Sequence, residues 1–275
     1  MAKRQIVVTL TSIPPRYPNL PRKLASIGNQ TVRPDRVELH VPKEYRRFPG
    51  ARPALPPLPD WVEVVEDEVD YGPASKVLPA AARWKGTETD LLLCDDDRIQ
   101  DRGWVARFVE GRKERPDDIV CERGWNIGDR FGIVRKAAEQ PRAELAPDRG
   151  RTLGYRLRRI GSLNFWHPPR KIYASSGYAD VFEGFLGALI PVDAFPPATW
   201  DIPPVVWTVD DVWLSGMAYS NGHKVWVNGL PRPVYANSRF DKVAALTHHV
   251  EEGVGREAAD RHAVDYLRET WGVWP

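Results

Sequence analysis

The chain has 275 residues, enough for one large or two small domains, and its 42% hydrophobic and 28% charged content is that of a globular core. A net charge of +2 neither demands nucleic acid as a partner nor excludes an anionic ligand. Two cysteines, Cys94 and Cys121, exclude a disulfide framework and a four-sulfur zinc site, and no apolar run is long enough to cross a membrane.

Taken along the chain, the pattern alternates strands with helices. "QIVVTL" (Gln5 to Leu10) reads as a buried β-branched strand, and Asn19 to Gln30 carries Leu20, Leu24 and Ile27 at helical spacing. Strands follow at Val37 to Val41, Val62 to Glu66 and Asp90 to Cys94, with a helix expected over Ser75 to Trp84. Trp104, Val105 and Phe108 share one face of a further helix, which leads into a short strand at Asp118 to Cys121. Such alternation predicts an α/β fold with a central, mostly parallel sheet flanked by helices.

The pattern then weakens. Arg135 to Arg159 is rich in arginine and lysine with little apolar periodicity, which predicts a long basic surface excursion spanning about 135–170. Gly184 to Phe195 reads as a strand turning into a short helix. "DDVWLSGMAYSNGHKVWV" predicts a helix capped by an aspartate, a turn at Asn221 and Gly222, and a strand over Lys224 to Val227. An amphipathic helix closes the chain at Arg256 to Trp271. No repeat or composition break divides it, so a single domain is expected, with residues 1–100 and 101–275 as its two halves.

Chemistry concentrates at strand ends. In open α/β sheets ligands bind beyond the carboxyl ends of strands, where the pattern places "TSIPPR" (Thr11 to Arg16) and the triplet Asp95, Asp96 and Asp97. Three adjacent carboxylates need water, basic neighbours or a bound cation to relieve their repulsion, and carboxylate oxygens suit Mg²⁺ or Mn²⁺ with substrate phosphates completing the shell. An acidic turn or helix cap is the plain alternative for the triplet, and an exposed helix lysine is the plain alternative for Lys76. "GVGREA" lacks the strand and acidic residue that a dinucleotide fingerprint requires, and no phosphate-cradling P-loop is present.

The segments "VVTLTSIPPR", "NQTVRPDRVELHVP", "DYGPASK", "LLLCDDD" and "VDDVWLSG" together resemble the GT-A fold glycosyltransferases, in particular the family-2-like branch with a DxD motif, over about residues 5 to 100 and 184 to 228. The resemblance implies a Rossmann-like nucleotide-diphospho-sugar transferase fold, with the nucleotide in the first half of the chain and the acceptor in the second. It carries a nucleotide-sugar site onto Thr11, Ser12, Arg16, Asp70, Lys76, Asp95 and Asp96, and a Mn²⁺ or Mg²⁺ site onto Asp97 and Asp95. His248 or, preferably, His249 would complete the metal shell. The last acid of the second motif would be the base, which is Asp211, with Asp210 second.

The activity implied by the resemblance is a metal-dependent transfer from a nucleotide diphosphate donor, a UDP-sugar by preference, to a hydroxyl of a glycan or lipid-linked glycan. One base and no evident nucleophile imply inversion at the anomeric centre. Trp207, Trp213 and "EGFLGAL" are candidate acceptor-side walls, since sugar faces stack on aromatic rings, although the helical spacing of Trp213 with Met217 favours plain core for that residue. The expected setting is cytoplasmic, with room for peripheral contact at the inner membrane face. A sugar-phosphate nucleotidyltransferase shares the strand-end carboxylates but opens with a glycine-rich loop that "TSIPPR" lacks, and a carbohydrate-binding module has no use for two acidic motifs.

Overall fold

The structure is a computed structural model that describes residues 4–51, 53–146, 153–161, 173–229, 243 and 255–275. Its first part is β1 (Gln5–Thr11), a 3-10 turn (Pro14–Asn19), α1 (Leu20–Gly28), β2 (Arg36–Pro42), β3 (Val62–Asp67), a second 3-10 turn (Gly72–Lys76), α2 (Leu78–Trp84), β4 (Thr89–Leu93), α3 (Trp104–Glu114) and β5 (Ile119–Cys121). Smaller elements come next: β6 (Gly124–Trp125), α4 (Ile127–Phe131), β7 (Glu144–Leu145), α5 (Leu153–Gly161), β8 (Tyr173–Ser175), β9 (Gly177–Ala179) and β10 (Val181–Phe182). The chain ends with β11 (Ala188–Pro191), α6 (Asp210–Ser220), β12 (Val225–Val227) and α7 (Arg256–Trp271).

Eight strands form the central sheet in the order β3-β2-β1-β4-β11-β5-β12-β9. The first four are parallel neighbours, β11 runs antiparallel to both β4 and β5, and β12 is parallel to β5. Side chains alternate across this sheet as the two-residue period of a strand requires. Leu91 and Leu93 of β4 enter one core with residues of α2, α6 and α7, whereas Leu92 enters the other with Leu24 of α1 and Phe108 of α3. Helices therefore cover both faces of a mostly parallel sheet, as the sequence predicts.

Several local expectations change. The helix expected from Ser75 starts only at Leu78, because Gly72–Lys76 forms a 3-10 turn that Gly72 enters with φ of +59°. Gly184 to Phe195 has its parts reversed: a 3-10 turn over Gly184–Leu186 comes first, then β11. No aspartate caps α6; the cap is Val209, and Asp210 and Asp211 occupy the first turn with their carboxylates turned elsewhere. The basic stretch is not wholly a surface loop either. Asp180 binds Arg135 (2.5 Å) and Arg142 (2.8 Å), so ion pairs do the anchoring that apolar periodicity would otherwise signal. Residues 147–152 and 162–172 of that stretch lie outside the described residues.

Candidate functional site

Because β1 and β4 are parallel neighbours, with Thr9 opposite Leu93, their following loops leave the sheet on the same side. Ser12 and Arg16 thus meet the acidic triplet. The Ser12 hydroxyl donates to Asp96 Oδ2, Arg16 Nη1 lies 2.9 Å from Asp96 Oδ1 and 3.2 Å from Asp97 Oδ2, and Asn19 donates to the Asp96 carbonyl at 2.6 Å. Lys23, fully buried in α1, donates to the Arg98 carbonyl (3.0 Å) and fixes the far end of the turn. The first loop and α1 hold the triplet's backbone as well as its charge.

The second acidic motif arrives from the other end of the chain. Lys76 is buried, with 4% of its surface exposed, which overturns its reading as an exposed helix lysine. Its carbonyl is held by the Thr9 hydroxyl (2.7 Å), and its ammonium lies 2.9 Å from Asp95 Oδ1, 2.9 Å from Asp210 Oδ2 and 3.8 Å from Asp211 Oδ1. One lysine therefore bridges two motifs more than a hundred residues apart in the chain. Burial works against its charge, but Asp210 and Asp95 outweigh that cost and keep the ammonium well above its ordinary pKa.

Asp211 also accepts a hydrogen bond from the Gly184 amide at 3.2 Å. A Cβ at Gly184 would stand 3.0 Å from that Asp211 oxygen, 3.1 Å from Lys76 Nζ and 2.9 Å from a Leu93 methyl, so only glycine lets the backbone come this close.

The carboxyls differ in their readiness to ionise. Burial and then repulsion from Asp210 push Asp211 up to about 8, against the pull of Lys76. Asp97 rises to about 6 through burial and the charge of Asp95. Asp95 moves the other way: burial would raise it, yet Lys76 lowers it below the usual carboxylate range. Asp96 is raised by burial despite Arg16 and Ser12.

Asp95, Asp96 and Asp211 line one crevice of about 830 Å³, its open mouth included, whereas Asp97, the expected metal ligand, stands behind its wall, 3.2 Å from Arg16 Nη1. Thr11, Ser12, Arg16, Asp70, Lys76, Asp95, Asp96, Asp210 and Asp211 all reach it, so the expected nucleotide-sugar and base residues lie together. Their ties differ. Thr11 spends its hydroxyl on the His40 carbonyl (2.8 Å), and Asp70 takes the backbone amides of Arg46 (2.8 Å) and Gly72 (2.7 Å), shaping the "DYG" turn. Ile13, Tyr45 and Phe48 supply an apolar wall.

Of the aromatic candidates, Trp207 lines the crevice with Arg46 stacked 4.6 Å from its ring centroid, whereas Trp213 is core, 1% exposed, with its indole N–H bonded to the Thr199 carbonyl (2.9 Å). Trp213 is thus no acceptor-side wall, because burial against α7 already claims its ring. Asn19, Lys23 and Arg256 carry no signal of a site role in any sequence pattern, and Gly184, inside "EGFLGAL", offers only a hint. Asn19 and Lys23 find their partners 77 and 75 residues further along the chain.

The triplet fits a divalent ion in part. Asp97 Oδ1 is buried without a hydrogen bond, 3.7 Å from Arg98 Nε, which leaves lone pairs for a metal; Asp95 is the triplet's most exposed carboxylate at 31%. Among the described residues no group of three or more His, Cys, Asp or Glu side chains is arranged to hold a metal. Mg²⁺ or Mn²⁺ needs only one or two protein carboxylates when substrate phosphates and water supply the rest, so the donor set is compatible. His248 and His249 lie outside the described residues.

Both cysteines are free and buried, and among the described residues no helix is long and apolar enough to cross a membrane. No family model matches this chain, and no curated protein matches it.

Proposed function

We propose that this chain is a metal-dependent glycosyltransferase of GT-A type, moving a sugar from a nucleotide diphosphate donor, UDP-linked by preference, to a hydroxyl of a glycan or lipid-linked glycan. One observation carries the reading: Lys76 draws Asp95 of the strand-end triplet and the Asp210-Asp211 pair into a single crevice that also holds Asp96, Arg16 and an apolar wall. Such a site combines cations for a diphosphate, carboxylates for a metal and a separate carboxyl for proton transfer.

Thr11, Ser12, Arg16, Asp70, Lys76, Asp95 and Asp96 are then the donor-binding residues. The acceptor hydroxyl attacks the anomeric carbon, its proton passes to Asp211, and the bond from that carbon to the diphosphate oxygen breaks with its electron pair leaving on the diphosphate. A carboxyl raised to about 8 is, once ionised, a stronger base than a solvated carboxylate. Asp210, paired with Lys76, keeps Asp211 raised and serves as the supporting acid. Mn²⁺ or Mg²⁺ held by Asp95 and Asp97 would neutralise charge on the leaving group. Single displacement inverts the anomeric centre.

Screening nucleotide sugars for Mn²⁺-dependent hydrolysis, followed by NMR of the transferred sugar, tests this. Hydrolysis of one donor and an inverted product are expected. Indifference to every nucleotide sugar would remove the reading, and a retained anomer would remove the single-displacement step.

A further inference from the structure

Arg256 is the first residue of α7, a helix of 16 residues, and it lines the crevice together with Arg16, Lys76, Asp95, Asp210 and Asp211. A cation in the first turn of a helix faces the partial positive charge of that end, and the Gly255 cap adds no side-chain bond to offset it. Local conflicts of this kind are characteristic of functional positions. Of the other three crevice cations, Arg16 lies 2.9 Å from Asp96, Lys76 lies 2.9 Å from Asp95 and from Asp210, and Arg47 lies over the Phe48 ring at 5.4 Å.

Arg256 is held differently. Among the described residues no hydrogen bond or ion pair within 4 Å engages its half-buried guanidinium, so its five N–H donors are unspent. The field of Asp211 first, then Asp210, Asp260 and Asp95, keeps it charged against the cost of burial. It shares the crevice lining with Asp95, Asp210 and Asp211, where the reacting sugar carbon and its leaving oxygen would be.

We infer that Arg256 grips the β-phosphate of a nucleoside diphosphate and stabilises the diphosphate as it leaves. This role rests on the transferase reading. A planar, doubly donating guanidinium matches the oxygens of a phosphate. As the bond from the sugar carbon to the β-phosphate oxygen breaks, the electron pair stays on that oxygen, and Arg256 can donate to it without giving up a carboxylate, as Arg16 and Lys76 cannot.

The test is calorimetric titration of UDP and of UMP, with Mn²⁺ present, into wild type, Arg256→Gln and Arg256→Lys. Loss of charge-assisted hydrogen bonds predicts that Arg256→Gln binds UDP about tenfold or more weakly, while its affinity for UMP, which lacks the β-phosphate, changes less than about twofold. Arg256→Lys, which preserves the charge if the glutamine variant folds poorly, falls between for UDP and matches wild type for UMP. Equal losses for both nucleotides, or an Arg256→Gln protein that binds UDP like wild type, overturn this inference alone. Wild-type protein that ignores UDP overturns the transferase reading and Arg256's role with it.

Discussion

The two acidic motifs of the crevice have the same chemistry in sequence and opposite surroundings in space. Asp95, Asp96 and Asp97 follow a buried strand and are met by Arg16, Ser12 and Lys76; Asp95 is held below the usual carboxylate range by Lys76 against its burial, while burial still raises Asp96 and Asp97. Asp211 opens a helix beside Asp210, shares one lysine with two other carboxylates, and is pushed up to about 8. Groups of one type whose environments drive their pKa values apart are suited to different tasks. On the proposed reading the triplet holds charge, and Asp211 moves a proton.

That contrast can be broken most severely at the base. Asp211→Asn keeps the shape and the Gly184 hydrogen bond but cannot accept a proton, so turnover should fall by about 10²- to 10⁴-fold while UDP affinity, read by calorimetry, stays near wild type. Wild-type turnover in this variant would reassign the base. Lys76→Met removes the bridge and strands Asp95 and Asp210 without their cation; denaturant unfolding at neutral pH should show a loss of about 3–5 kcal/mol. A much smaller loss would mean that the two motifs are not coupled through this lysine.

Gly184→Ala sharpens the comparison, since the added methyl pushes on Asp211 and Lys76 without removing either. Misplacement of this kind predicts a drop of up to about 10²-fold in turnover with a much weaker effect on melting temperature.

The smallest effect concerns β2, one strand in from the edge of the sheet. His40 Nδ1 is 3.2 Å from both carboxylate oxygens of Asp67, and its Nε2 is 3.2 Å from Glu38 Oε2. Burial alone would lower this imidazole, but Asp67 and Glu38 raise it above its ordinary value. Its contribution is therefore full below the unfolded pKa of about 6.5 and is lost as pH rises through the higher folded value. Glu38 is moved down, since His40 and Trp84 overcome its burial, so its contribution holds above its unfolded value and is lost as pH falls through the folded one. Unfolding free energy measured across pH should decline on the alkaline side in wild type and lose that slope in His40→Asn.

Much of this architecture was legible in the sequence because local patterns and tertiary packing agree. "QIVVTL" and "DLLLC" are apolar on both faces and lie side by side in the sheet interior, and Leu20, Leu24 and Ile27 share the buried side of α1. The strand-end rule placed Asp95 to Asp97 beside Ser12 and Arg16 with no knowledge of which strands pair. Less legible was whatever depends on contacts across the chain. "ALIP" says nothing of its direction, yet β11 runs antiparallel between β4 and β5, and its lead-in brings Gly184 to Asp211. Arg135 and Arg142 read as solvated charge until Asp180 is seen to bind both. Lys76 by itself reads as an ordinary helix lysine, and only the family resemblance marks it for the site, whereas Arg256 looks ordinary until the crevice is assembled around it.

The central claim is that the crevice at the ends of β1 and β4 binds a nucleoside diphosphate together with a divalent ion at the triplet. Crystals grown with UDP and Mn²⁺ and measured at the manganese edge test it most directly. An anomalous peak touching Asp97 or Asp95 and the diphosphate, with the nucleotide against Tyr45 and Phe48, is the predicted result; a nucleotide bound elsewhere, or no metal at those carboxylates, would contradict it.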